Sequence, residues 1–275
     1  MYKRINYRNV EFTLDPNGKL TKMINNGDPE DIDIPAVLPT GEKITAIGEE
    51  FCYGYYDNII IDDSISQIEH RAFLYAHVNS VSWPSSCHKI PEGCFYHSHV
   101  KSVTNIDNVT RICSVAFSNS SIKSFKWPSA CKIIPKGCFC GSNLNEITNI
   151  GEVEEVCAAA FSATLIIGLE WPHKCNRIPE WCFSKSKIRS ISGINNVIKI
   201  EYTSFIDSNL KSITWPSCCE SSLYDVVRNM YKLKELNLSG AMIVNFGGDI
   251  NSLDIKNITF PYYMSDDMLN EAVIR

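Results

Sequence analysis

Apolar residues recur along this chain in columns, and polar residues fill the gaps between them. Val78, Val100, Ile122, Leu144, Ile166, Ile188 and Leu210 stand 22 apart. So do Val81, Val103, Phe125, Ile147, Leu169, Ile191 and Ile213, and also Ile68, Ile90, Ile112, Ile134, Val156, Ile178 and Ile200. Phenylalanine keeps its own column from Phe51 through Phe73, Phe95, Phe117, Phe139, Phe161 and Phe183 to Phe205. The position before it takes only small residues: Ala72, Cys94, Ala116, Cys138, Ala160, Cys182 and Ser204. A fixed period of roughly 20–29 residues with an apolar-x-x-apolar-x-apolar core marks a solenoid. Each unit then holds one short strand, such as 78–83, whose residues 81 and 83 share a face because side chains alternate. The pattern predicts about eleven parallel strands in one sheet, starting near 32, 56, 78, 100, 122, 144, 166, 188, 210, 233 and 255. Turns, with a short helical turn around "PEGCF" or "CSVAF", close each coil. No unit is stable alone, since stacking is what buries its apolar edges.

Alternate units differ. Trp83, Trp127, Trp171 and Trp215 stand 44 apart, and each is followed by proline. The full column reads Trp83, Asn105, Trp127, Asn149, Trp171, Gly193, Trp215, so large alternates with small. Adjacent coils are ~4.8 Å apart, so inward neighbours touch. A Trp in every coil would overpack, whereas Trp beside Asn or Gly fills both slots at interior density. Proline at the strand end stops the ladder and starts the corner. The competing reading makes the Trp row a ligand platform.

The repeat reads L-x-x-I-x-(I/W)-P-x-x-(V/C)-x-x-I-(P/x)-x-x-(A/C)-F, best copied in "VNSVSWPSSCHKIPEGCF" and "LKSITWPSCC". It resembles the BspA-like, or Treponema-type, leucine-rich repeats of bacteria and some protozoa, over roughly Ile32 to Phe260. The resemblance implies a leucine-rich-repeat solenoid. Its concave face would be a single parallel β-sheet, and its convex face turns with short helical or 3-10 segments. An N-terminal β-hairpin cap and a C-terminal helical cap would close it. The family also suggests a surface adhesin or host-directed virulence factor. Here Val and Ile replace most leucines, and Trp takes the usual aliphatic position in alternate coils.

Charge and composition narrow the function. The 275 residues are 44% apolar and 21% charged, with a net charge of −5. That balance disfavours nucleic acid and anionic membranes as main partners. No apolar run reaches the length of a membrane span, so no membrane insertion is expected. The start "MYKRINYRNVEFTLD" has no signal-peptide run, which reads as cytoplasmic. A secreted or surface protein is the alternative if a signal segment has been lost.

Twelve cysteines are too dilute for a disulfide scaffold. Cys87, Cys131, Cys175 and Cys219 alternate with Val109, Val153 and Val197, and Cys94, Cys138 and Cys182 alternate with alanine. Same-column thiols are two coils, or ~9.6 Å, apart, beyond disulfide reach. They read as small buried hydrophobes. Neither "CFC" at 138–140 nor "CC" at 218–219 has zinc-finger spacing. His97 and His99 flank Ser98 at a coil corner, where a solvated turn suits them better than a shared ligand. Sequons at Asn108, Asn119, Asn237 and Asn257 matter only in a secreted protein. No nucleophile elbow, P-loop or metalloprotease motif occurs, so no catalytic, cofactor or metal residue is expected.

Residues 1–31 are expected to form the hairpin cap, turning at "DPNG" (Asp15 to Gly18), with 32–264 as the solenoid. After Trp215 the spacing slips by one, and residues 222–231 read as an amphipathic helix. Ser265 reads as the N-cap of a capping helix over 265–275. The outward strand positions form the candidate protein-binding concave face. They are Ser80, Ser82, Ser102, Thr104, Ser124, Lys126, Glu146, Thr148, Glu170, Ser190, Ser192, Ser212, Thr214, Glu235 and Asn237. Small hydroxyl residues also simply suit an exposed sheet. The functional reading is a broad surface for a protein or glycan. These features predict a non-catalytic, monomeric recognition module with a protein partner.

Overall fold

The computed structural model describes residues 2–25, 27–242 and 244–264. By packing, the chain divides into two compact units: residues 1–131 with 137–149, and residues 132–136 with 150–275.

The first unit begins with three antiparallel strands, Lys3–Tyr7, Val10–Leu14 and Lys19–Asn25. The expected two-stranded hairpin is thus a meander. Its first turn is Arg8-Asn9, both left-handed at φ +47° and +59°, the conformation a two-residue hairpin turn needs. Neither residue is glycine, so composition gave little sign of it. The second turn is "DPNG": Asp15 Oδ1 accepts from the amides of Asn17 (2.8 Å) and Lys19 (2.9 Å). Its Gly18 sits at φ +82°, where an added Cβ would fall 2.5 Å from the Lys43 carbonyl.

Parallel strands follow, one per coil. In the first unit they are Glu30–Ile34, Tyr55–Ile61, His77–Ser82, Ser102–Thr104, Ser124–Lys126 and Glu146–Thr148. In the second they are Gly168–Glu170, Ser190–Ser192, Ser212–Thr214, Glu235–Asn237 and Asn257–Thr259. The expected single sheet is corrected in one respect. Ser102–Thr104 pairs with Ser80–Ser82, and Ser124–Lys126 pairs with Glu146–Thr148, but no ladder joins the two pairs. Each Trp coil is instead tied to the coil after it. The Trp83, Trp127, Trp171 and Trp215 amides donate to Thr104, Thr148, Ser192 and Asn237 carbonyls at 2.8–3.0 Å. The residue that follows the strand in the intervening coils is left-handed: Asn105 at +57°, Asn149 at +63° and Gly193 at +73°. That turn carries the backbone away from the next strand and ends the ladder.

The same residues correct the packing expectation. Trp83, Trp127, Trp171 and Trp215 are at most 2% exposed, but Asn105 and Asn149 lie outside the core. Their Nδ2 atoms donate to the Trp83 and Trp127 carbonyls at 2.7 Å. The inward slot passes one residue on, to buried Ile106, Ile150 and Ile194. Asn and Gly stand there because the backbone is left-handed, which they tolerate best.

The expected helical turns of the coils are also absent among the described residues. Left-handed residues stand two before and two after the phenylalanine, as at Gly93 and His97, Val115 and Asn119, and Trp181 and Lys185. A right-handed helix cannot pass through them. Two-residue parallel strands such as Lys89–Ile90 with Arg111–Ile112 line that side of the coil instead. The one α-helix described is Leu223–Val227, with Ser222 accepting from the Asp225 amide at 3.2 Å. The expected helix over 222–231 is cut to one turn, and a 3-10 turn, Ile250–Ser252, follows later. The helix expected over 265–275, with its cap Ser265, lies outside the described residues.

The core is a set of stacked columns. Phe95 and Phe117 stack at 5.3 Å and 4° between planes, and Phe161 and Phe183 at 5.7 Å and 12°. Three residues after the phenylalanine runs a buried hydroxyl column. Ser98, Ser120, Ser142, Thr164 and Ser186 each donate to the phenylalanine carbonyl three before, at 2.7–2.8 Å. This satisfies a carbonyl in each of these five coils.

Candidate functional site

The strand face follows from alternation. Val103, Phe125, Ile147, Leu169 and Ile191 turn inward and are buried, so their neighbours turn outward. In the first unit, Ser80 pairs in register with Ser102 and Ser82 with Thr104, while Ser124 pairs with Glu146 and Lys126 with Thr148. In the second, Gly168 pairs with Ser190, Glu170 with Ser192, Ser212 with Glu235 and Thr214 with Asn237. The structure therefore brings the candidate residues together within each unit as rows of exposed or half-exposed side chains. Some are engaged: Ser80 donates to Asn58, Lys126 lies 3.6 Å from Asp107, and Asn237 Oδ1 accepts from the Ser239 amide. Lys126 and Glu146 are the charged members in the first unit, and Glu170 and Glu235 in the second.

The residues in "SFKWPSACKIIPKGCF" hold the coil together. The Trp127 indole Nε1 reaches round the corner to the Cys131 carbonyl at 2.8 Å, and the Cys131 thiol faces the Val109 carbonyl at 3.4 Å. Trp83 and Trp171 repeat the bond with Cys87 and Cys175. The Trp row is interior and offers no ligand platform.

None of the twelve cysteines is in a disulfide, and eight of them are buried: Cys52, Cys87, Cys94, Cys131, Cys138, Cys175, Cys182 and Cys219. Burial pushes Cys131 up to about 11 and Cys175 up to about 12. Cys157 opens into a cleft of about 500 Å³ in the second unit, which Glu155, Arg177, Glu180 and Glu201 also line. Burial and the Glu155 carboxylate push this thiol up to about 11, so it is protonated at neutral pH and a poor nucleophile. Among the described residues, no three His, Cys, Asp or Glu side chains gather as a metal site. No described helix is long and apolar enough to cross a membrane.

His97 and His99 face different neighbours. His97 stacks on Tyr75 at 5.6 Å, and His99 stacks on His77 at 4.2 Å. The Tyr55–His77–His99 row is a feature that the sequence reading missed, although its 22-residue spacing was there to find.

The repeat matches a known family. A description of the BspA type leucine rich repeat region fits residues 45–167 and 154–266, in six copies. Two solved structures have related folds. A leucine-rich repeat protein from Bacteroides ovatus ATCC 8483 aligns over 98% of this chain and 79% of its own, at 16% identity and a TM-score of 0.62. A leucine rich cell surface protein from Faecalibacterium prausnitzii A2-165 aligns over 98% and 97%, at 18% identity and a TM-score of 0.50. No curated protein matches the chain.

Proposed function

The chain belongs to the BspA-type leucine-rich-repeat family, and on that premise we propose that it is a non-catalytic recognition module that holds a protein partner on its exposed strand face. One observation carries the reading. The outward strand residues are polar, mostly small, and in register, while the core is built from other columns. The face is thus free to vary without cost to the fold, as a binding surface requires. The high pKa of the Cys157 thiol supports a non-catalytic role for the nearby cleft. In this reading the N-terminal strands within 1–31 cap a repeat body over 32–264.

The comparisons lend no support to a cytoplasmic location. A fold neighbour described as a cell surface protein supports the alternative, a secreted or surface-displayed adhesin or host-directed factor. Free thiols do not oppose it, because the buried ones are held protonated and out of reach of oxidants.

Capture from the native cell or its surroundings, with wild type and a Ser124→Arg/Ser190→Arg variant in parallel, tests the proposal. Both changes lie on exposed strand positions and should leave the melting curve within about 0.5 kcal/mol of wild type. The expected result is a protein retained by wild type and lost by the variant. A protein held equally by both would place the interface elsewhere.

A further inference from the structure

A basic row runs along one edge of the second unit. The Lys211 amide donates to the Arg189 carbonyl at 3.3 Å, the Lys234 amide to the Lys211 carbonyl at 2.8 Å, and the Lys256 amide to the Lys234 carbonyl at 3.0 Å. These bonds set Arg189, Lys211, Lys234 and Lys256 one above another in four successive coils, with ~4.8 Å between neighbours. Four like charges thus span about 14 Å. Ile188, Leu210 and Leu233 beside them are buried, and Arg189, Lys211 and Lys256 are exposed. Two positions earlier in the same extended segments stand exposed Lys187 and Lys232.

Pairing elsewhere in this unit is mixed. Lys174 meets Glu152 at 2.6 Å, Arg177 and Lys199 share Glu201, and Arg228 lies 3.6 Å from Asp225, whereas Lys136 and Lys185 stand singly, outside the stacked row, with no ion pair among the described residues. On the basic edge Lys234 pairs with Asp254, and Lys232 donates to Asn209. Glu235, next to Lys234, is the other acid beside the row. Arg189, Lys211 and Lys256 have no ion pair among the described residues. A chain with net charge −5 has therefore left a stacked row of cations largely unneutralised, at the cost of mutual repulsion. A polyanion lying along the row would remove that repulsion at every coil.

We infer that the row Arg189–Lys211–Lys234–Lys256, flanked by Lys187 and Lys232, is a binding site for a linear anionic polysaccharide, with sulfate or carboxylate groups taking one cation per coil. The residue after each cation is polar: Ser190, Ser212, Glu235 and Asn257. These offer hydrogen bonds to sugar hydroxyls. A nucleic acid would fit less well. Single strands are held by aromatic side chains that stack on successive bases, and here Tyr231 is a single exposed ring beside Lys232. The site runs along the edge of the strand face and shares Ser190, Ser212 and Glu235 with it, but it does not depend on a protein partner binding there.

The experiment uses the full chain with heparin as the probe, and double-stranded DNA and neutral dextran beside it. Heparin should bind at low salt and dextran should not. The Arg189→Ala/Lys211→Ala variant should fold and melt at or above the wild-type temperature. Its heparin affinity should fall at least about tenfold, and its slope of log affinity against log salt by about two, one for each lost cation. Lys174→Ala/Lys199→Ala, which removes two paired cations, should bind heparin as wild type does. The inference is overturned if heparin does not bind at about 50 mM salt, if the two double variants lose affinity equally, or if DNA binds as tightly as heparin.

Discussion

Trp127 shows at the scale of one residue how much the sequence could and could not say. That it is interior followed from its 44-residue spacing and the apolar columns beside it. Its bond to the Cys131 carbonyl did not, because nothing in the spacing shows an indole nitrogen turning a corner to meet a backbone oxygen. Trp127→Ala removes one of the largest fully buried side chains and should destabilise by about 3–5 kcal/mol in urea melts. The phenylalanine variants separate packing from the hydrogen bond. Trp171→Phe leaves the buried Cys175 carbonyl without its indole donor. At Trp215 the indole nitrogen is buried and has no partner among the described residues, so Trp215→Phe also removes an unsatisfied donor. Trp171→Phe should therefore cost more than Trp215→Phe by about 1 kcal/mol. Equal costs would show that the corner bond contributes nothing.

The coil pair is the element that the period of 22 concealed. The sequence reading placed the strands well, since a strand is an alternation of apolar and polar residues and that alternation is written in the columns. The turns were misread as helical because left-handed positions carry no compositional mark here. Gly93, Val115, Gly137, Ala159 and Trp181 all take the same conformation in successive coils. Asn105, Asn149 and Gly193 were legible as an alternation but were explained by volume, when backbone conformation is the cause. Asn149 decides between the two accounts. Asn149→Gly keeps the left-handed backbone and loses the 2.7 Å bond to the Trp127 carbonyl, so it should cost about 1 kcal/mol. Asn149→Val loses that bond and also forces a β-branched residue to φ +63°, adding about 1–2 kcal/mol. Should Val be tolerated as well as Gly, the left-handed turn would not be what divides the ladder into pairs.

For the molecule as a whole, family and fold class were legible because a solenoid repeats its evidence in every coil. The basic row was legible too but went unread: strand starts near 188, 210, 233 and 255 already put Arg189, Lys211, Lys234 and Lys256 at one position, and the observed register agrees. The buried thiols give a further property of the whole chain, the shape of its stability against pH. Burial raises Cys94 and Cys182 well above the ordinary thiol value of 9.0, and raises Cys131 to about 11 and Cys175 to about 12. In the unfolded chain these thiols lose their protons near 9.0, whereas in the folded chain they keep them. The folded state then binds more protons, so stability is fully present below about pH 9 and falls as pH rises through the folded values. Each such thiol steepens the fall by about 1.4 kcal/mol per pH unit. On the acid side His77 works in the opposite sense. Its burial and the nearby His99 lower its value from 6.5, so the unfolded chain takes up that proton first and stability declines below about pH 6.5. Urea midpoints should therefore form a plateau between about pH 7 and 9 with a steep alkaline edge. Cys94→Ala/Cys182→Ala tests the cause of that edge, because alanine already fills this column at Ala72, Ala116 and Ala160. The double variant should lose about 1 kcal/mol per site at pH 7 and show a shallower alkaline fall. The remaining thiols and Tyr56, also raised by burial, would keep part of the edge in place. An alkaline limb as steep as that of wild type would mean that these two thiols do not control it.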